Sequence, residues 1–366
     1  MGRLDRVLDD IARASAPADR VRLLARSASL LAHLGRIDEA RRAADQAERR
    51  MRTAGLNALH PEILYAKASI RLASGYADEA VATLTSAIEL ARECGRRDFL
   101  PACDALLALC LVGCGIVDQA VEHADRALLA APGEDTETHF NVWMAIAQAL
   151  SADEQFDAAL QAYAQARGCA MTLRDDVALA DVLHGIVDCQ TTRFEADARA
   201  GHLDPDLVES ALVDNESAAR LGERASMVRS RARSRLQRAR LLLLLLRPLE
   251  AEAVLRDLLE HQIVHLERGD VNWARALLAR CLAERGVSMQ ARALIEFALA
   301  GLDERPAEAS LATHRVAAEV HLLLADDIAR DAADAASARA RDRLHRGLDR
   351  SRATLSRVLN DELFLG

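Results

Sequence analysis

Residues 35–40 read Gly-Arg-Ile-Asp-Glu-Ala, residues 75–80 read Gly-Tyr-Ala-Asp-Glu-Ala, and residues 115–120 read Gly-Ile-Val-Asp-Gln-Ala. The spacing is 40 residues, then 40 again. Working outward, the closing alanine recurs at Ala159, Ala211, Ala251 and Ala291, and Gly286 to Ala291 repeats the glycine-to-alanine distance of five. One rung is long, 52 residues from Ala159 to Ala211, which implies about twelve inserted residues. A fixed period of this size marks a stacked array, because each unit buries its apolar face only against its neighbours.

Each unit reads as helix, turn, helix. Apolar residues fall at helical spacing ahead of the glycine: Leu24, Ala28 and Leu31, then Leu64, Ala68 and Leu72, then Leu107 and Leu111. The glycine ends the first helix in the left-handed region. Asp38, Asp78 and Asp118 are placed to cap the second helix and complement its dipole. The alanine two residues later is small enough for the two helices to cross closely. Pro61 and Pro101, again 40 apart, sit in a first helical turn where a missing N–H costs little, and Pro248 and Pro306 fit other helix starts. No stretch alternates as a strand would, so the fold class is all-α.

Composition agrees and excludes several classes. The 366 residues are 51% apolar but only 3% aromatic, so the core must be built from Ala, Leu and Val. With 17 Gly and 7 Pro the chain has too few turn formers for a loop-rich β-protein. The leucine run Leu241 to Leu246 is bounded by Arg240 and Arg247 and falls far short of the ~20 apolar residues of a membrane span. No apolar signal core opens the chain, and seven cysteines without a CxxC pair suit a reducing cytoplasm. A net charge of −9 gives no global drive toward nucleic acid.

The units resemble the tetratricopeptide repeat family. The match is carried by Trp143, Ala147, Phe156, Ala159, Tyr163 and Ala166, and again by Leu64, Ala68, Gly75, Ala80, Leu84 and Ala87. Ala120, Ala124 and Ala127 add a third unit, with Pro132 at the family's closing proline. The 40-residue period exceeds the family's usual 34, so the helices are longer, as in bacterial regulatory members. The resemblance implies a right-handed α-solenoid of about seven hairpins with capping helices at both ends. Residues 1–16 read as an N-terminal capping helix (Leu4, Val7, Leu8, Ile11), 17–303 as the repeat array, and 304–366 as a long-helix cap or connector. The insertion falls near 190–206 and extends a first helix through Thr192-Arg193-Phe194-Glu195. At the C-terminus Arg339, Arg341, Arg343, Arg346, Arg350 and Arg352 suit the polar face a terminal unit needs, and Leu344, Leu348, Leu355 and Leu359 line the other; a homodimer through the C-terminal helices is a further expectation.

Catalytic signatures are missing. Cys103, Cys110 and Cys114 share a helical face, but no histidine is placed with them, and they read as small apolar filler. His261 and His265 stand at i, i+4 on a second helix without the glutamate of a metalloprotease helix, and read as structural or solvent-facing. Asp175-Asp176 opens a helix. Neither a dinucleotide loop, a Walker loop nor a nucleophile elbow occurs, so neither enzyme activity, a cofactor nor a metal is expected. Arg229, Arg233 and Arg240 form one helical stripe and Arg231, Arg235 and Arg238 another roughly opposite, so both cannot be buried.

In the tetratricopeptide family the concave groove is lined by first helices at two positions seven residues apart. In register these are Arg22 and Ser29, Glu62 and Ser69, Ala102 and Leu109, Asn141 and Gln148, Arg233 and Arg240, and Trp273 and Arg280. With Gln237 between the two arginines, the candidate site is Asn141, Gln148, Arg233, Gln237, Arg240, Trp273 and Arg280. Its arginine forks and indole suit a protein or peptide partner, an acidic one among them. The competing reading is internal pairing, since the inserted unit places Asp181 and Asp188 beside Arg233 and Arg240. The expected function is a regulatory scaffold; the alternative is the sensory region of a bacterial signalling protein, such as one with a diguanylate cyclase output, binding a small anion or peptide.

Overall fold

The computed structural model describes residues 3–227, 229–266, 268–302 and 308–363. Among them there is no strand. A first helix, α1 (Arg3–Arg13), precedes hairpins α2/α3 (Pro17–His33, Ile37–Thr53), α4/α5 (His60–Ala73, Ala77–Glu93) and α6/α7 (Leu100–Gly113, Val117–Ala130). Then come α8/α9 (Thr136–Ala152, Phe156–Leu173), α10/α11 (Asp176–Ala200, Pro205–Arg224) and α12/α13 (Ser230–Leu244, Pro248–His261). The last two are α14/α15 (Arg268–Glu284, Ser288–Ala300) and α16/α17 (Glu308–Leu323, Asp327–Leu363). The protein is an all-α solenoid. The terminal pair expected as a cap is an eighth hairpin with the same left-handed turn, at Ala325.

The ladder alanines from Ala40 to Ala291 are at most 2% exposed, each in the second helix of its pair. Gly35, Gly75, Gly115 and Gly286 take the left-handed turn, φ 71–83°. The aspartates behave differently from the expectation. Arg36, Tyr76 and Ile116 are the N-cap residues and make no side-chain cap bond. Asp38, Asp78 and Asp118 lie two residues further in, at the second helical position, where they complement the dipole without capping. Asp157 and Asp206 repeat that second position, but α13, α15 and α17 put Leu249, Met289 and Ile328 there, all exposed. Pro61, Pro101 and Pro248 start α4, α6 and α13; Pro306 lies outside the described residues.

The array winds tightly. Arg3 of α1 is ion-paired to Asp175 at the start of α10 (3.0 Å) and to Glu137 of α8. Leu34, after α2, packs on Ala180 and Met227. Arg229 Nη1 donates to the carbonyl of Ala73 at 2.6 Å, and Arg315 of α16 to Glu154 between α8 and α9 at 2.6 Å. First touches fifth, second touches sixth, and fourth touches eighth, so one superhelical turn takes about four hairpins.

Helix α17 fastens this winding. Ala333 belongs to the apolar core of α12 to α16, whereas Ala340, Leu344, Leu348, Leu355 and Val358 belong to the core of α6 to α9. Arg350 and Ser351 hydrogen-bond Asp118 (3.2 and 3.3 Å), and Arg357 reaches Asp125 of α7 at 2.5 Å. The leucine face is therefore covered within the chain, as the inner face of a terminal unit should be. No described helix is long and apolar enough to cross a membrane.

Candidate functional site

Tight winding fills the front of the concave face with the chain's own side chains. A cavity of about 230 Å³ remains towards the rear, where the ends of α8 and α10 meet α12, α14 and α16. Ala152, Leu243, Leu277 and Val316 give it an apolar floor, and Arg199, Arg240, Arg280, Arg315, Glu154, Glu195 and Glu319 ring it.

Of the seven residues expected to form the site, Arg240, Trp273 and Arg280 line this cavity. The Arg240 side chain is only 1% exposed. Its Nε and Nη2 donate to both oxygens of Glu195 (2.8 and 3.1 Å), Nη2 also to Thr192 Oγ1 (3.0 Å), and Nη1 to Asp188. Trp273 is covered by that guanidinium, 4.1 Å from its ring centre, so the indole holds the arginine flat. Arg280 meets Glu319 at 2.7 Å and Glu284 at 3.1 Å. The other four lie elsewhere. Asn141 is buried in α8 and Gln148 half-buried. Arg233 faces Asp181 at 3.8 Å and keeps 37% of its side-chain exposure inside the superhelix. Burial works to lower its pKa, but Asp181 and Asp188 hold it above the ordinary value.

Gln237 belongs to a buried polar chain. Its Nε2 donates to the His184 carbonyl at 2.8 Å, and its Oε1 faces His184 Nδ1 at 3.4 Å. His184 Nε2 lies 2.8 Å from Ser230 Oγ. With Nδ1 donating to the amide oxygen, Nε2 accepts from the hydroxyl. Burial, then the Arg233 charge, pushes the His184 pKa down to about 3, so the ring is neutral. Gly222 is required beside it, since a Cβ there would stand 1.9 Å from Ser230 Oγ.

The rim is electrostatically tuned. Burial raises the Glu319 pKa against the pull of Arg280. At Glu154 burial acts in the same upward sense but is outweighed by Arg315, Arg341 and Arg199, so its pKa is lowered. Arg199 is lowered by burial and by the nearby Arg315 charge. Glu154, Arg199 and Arg315 were not among the expected residues. One local signal points to the first: Glu154 stands in the left-handed turn position, φ 61°, that glycine holds in four other units.

The two arginine stripes of α12 separate as geometry requires. Arg229, Arg233 and Arg240 turn into the superhelix, while Arg231 and Arg238 are exposed. Cys103 and Cys110 are buried among apolar side chains, which pushes both thiols up. Helix α13 ends at His261, so His261 and His265 do not share a helix as expected; the His265 side chain lies outside the described residues. Among the described residues, no group of three or more His, Cys, Asp or Glu could hold a metal ion.

A family model described as tetratricopeptide repeat matches residues 61–94, which span α4, the Gly75 turn and α5. That stretch is similar to a single tetratricopeptide repeat. No curated protein sequence matches it. A solved structure, Rap protein complexed with competence and sporulation factor, superimposes on the helical array with a TM-score of 0.61. It is 13% identical and covers 94% of this chain and 97% of that one, a likeness of fold.

Proposed function

We propose that the chain is a peptide- or protein-binding scaffold with a regulatory role, whose guest lies at the rear of the concave face. The observation that carries this is the amphipathic cavity, with Leu243, Leu277 and Val316 below and a rim of arginine and glutamate side chains above. An apolar floor supplies affinity by burial, and guanidinium forks give direction by reading carbonyl or carboxylate oxygens. Trp273 and Arg240 hold each other, Arg280 pairs with Glu319 and Arg315 with Glu154, and the four arginines of the lining exceed its three glutamates by one positive charge. That balance favours an acidic guest. The Rap protein, of similar fold and complexed with competence and sporulation factor, supports a ligand-binding use of this architecture.

The reading is of a binding module and not an enzyme. Each carboxylate of the rim is engaged by an arginine: Glu154 by Arg315, Glu195 by Arg240, Glu319 by Arg280. Regulation follows from position, because a guest lodged between the fourth and eighth hairpins favours one superhelical winding over others.

The test is selection from a randomised ten-residue peptide library, with the enriched peptides measured against the wild-type protein and Ala312→Trp. Ala312 lines the cavity and is half-buried, so an indole there fills the space. Binding that weakens at least tenfold in Ala312→Trp, with the circular dichroism melt retained, is expected. Undiminished binding, or no enrichment above background, contradicts the reading.

A further inference from the structure

Next to the cavity, and sharing Arg199, Arg315 and Glu319 with it, lies a depression of about 370 Å³ between α10, α16 and α17. Three arginines of its lining, from three helices, act on one carboxylate of the adjoining cavity, Glu154. Arg315 of α16 holds Glu154 at 2.6 Å, Arg199 of α10 stands 3.9 Å from the same oxygen, and the charge of Arg341 on α17 also acts on it. Glu154 holds this place in a left-handed backbone conformation that disfavours any side chain. Its neighbours are committed elsewhere: Glu319 to Arg280, and Arg330 to Asp327 and Asp331. Asp334 and Asp342 also line the depression, and the Asp334 charge acts on Arg330. The Nε atoms of Arg315 and Arg341 are buried without a hydrogen-bond partner among the described residues.

We propose that Arg199, Arg315 and Arg341 form an oxyanion seat for a carboxylate or phosphate group carried by the guest. The proposal rests on the groove reading for the rest of that guest, whose apolar part would lie on the adjoining Leu277 and Val316 floor. Buried N–H groups left without an acceptor are costly, and a forked guanidinium answers best to a two-oxygen anion. Asp334 and Asp342 on the same lining offset much of the positive charge, so the case for an anion rests on the two buried Nε–H groups and the forked geometry. Arg341 belongs to α17, so an anion here also ties that helix to α10 and α16.

The experiment is thermal unfolding titrated with inorganic phosphate and, separately, with glutarate, each at ionic strength matched by sodium chloride. The chains are wild type, Arg199→Gln, Arg341→Gln and, as a control, Arg346→Gln, an exposed arginine of the same helix. A saturable rise in the melting midpoint with at least one anion is expected. Its apparent affinity should fall at least tenfold in Arg199→Gln and Arg341→Gln but not in Arg346→Gln. Response to phosphate alone assigns a phosphate source, and response to glutarate alone a carboxylate. Equal rises in Arg341→Gln and Arg346→Gln, or no rise above chloride in the wild type, overturn the seat. Selected peptides that bind wild type and Arg341→Gln equally, yet are lost in Ala312→Trp, overturn it while leaving the groove reading intact.

Discussion

The guanidinium of Arg240 on α12 lies over the Trp273 ring of α14, 4.1 Å from its centre, and holds α10 through Asp188, Thr192 and Glu195. Removing one side of a buried charge cluster strands the other. Arg240→Ala is therefore expected to cost about 3–5 kcal/mol in urea unfolding. Arg240→Lys should recover little, since a single ammonium cannot serve two carboxylates and stack on the indole. A loss below about 1 kcal/mol would show that the cluster is not coupled to folding.

His184 makes stability depend on pH. Its pKa is about 3 in the fold, against 6.5 for an ordinary histidine. Between those values the unfolded chain binds a proton that the folded ring refuses, so the contribution is full above pH 6.5 and declines as pH falls. About 2 kcal/mol should be lost from this group between pH 7 and pH 5. Imidazole NMR shifts should show His184 neutral at pH 5; a protonated ring in the native state at that pH would contradict the assignment.

Helix α17 is held by packing more than by charge, because Leu348 is buried in the core of α6 to α9 while Arg350 is largely exposed. Leu348→Ala should cost about 2–5 kcal/mol. Arg350→Ala should cost less than about 1 kcal/mol. Comparable losses in guanidinium unfolding would mean that the clasp is electrostatic.

Met289, 88% exposed, stands second in α15, where five earlier second helices carry aspartate. Met289→Asp places a carboxylate at the positive end of that helix and should stabilise it by about 0.3–1 kcal/mol. A lower melting midpoint in the variant would show that the methionine packs in a way its exposure does not suggest.

The hairpins were legible because their determinants are local. Gly75 and Ala80 specify a turn and a close crossing within one unit, and the same demand recurs every 40 residues. The Asp188 to Arg240 pairing was legible too, since register alone aligns adjacent first helices. Arg315 was not, because it meets Glu154 across a full superhelical turn, and the winding depends on side-chain volumes summed over several units. The aspartates were misplaced as caps because the turn is two residues shorter than expected, so the second helix starts earlier and Asp38, Asp78 and Asp118 fall at its second position. Glu154 was missed although it stands, like Leu246 and Ala325, where the period asks for glycine.

The claim that a guest occupies the rear of the concave face is tested most directly by amide hydrogen exchange, with and without a peptide enriched by selection. Protection should appear in the facing ends of α10, α12, α14 and α16, around Glu195, Leu243, Leu277 and Val316, and should vanish in Ala312→Trp. Protection confined to α2 through α6, or to the second helices on the outer face, would contradict it.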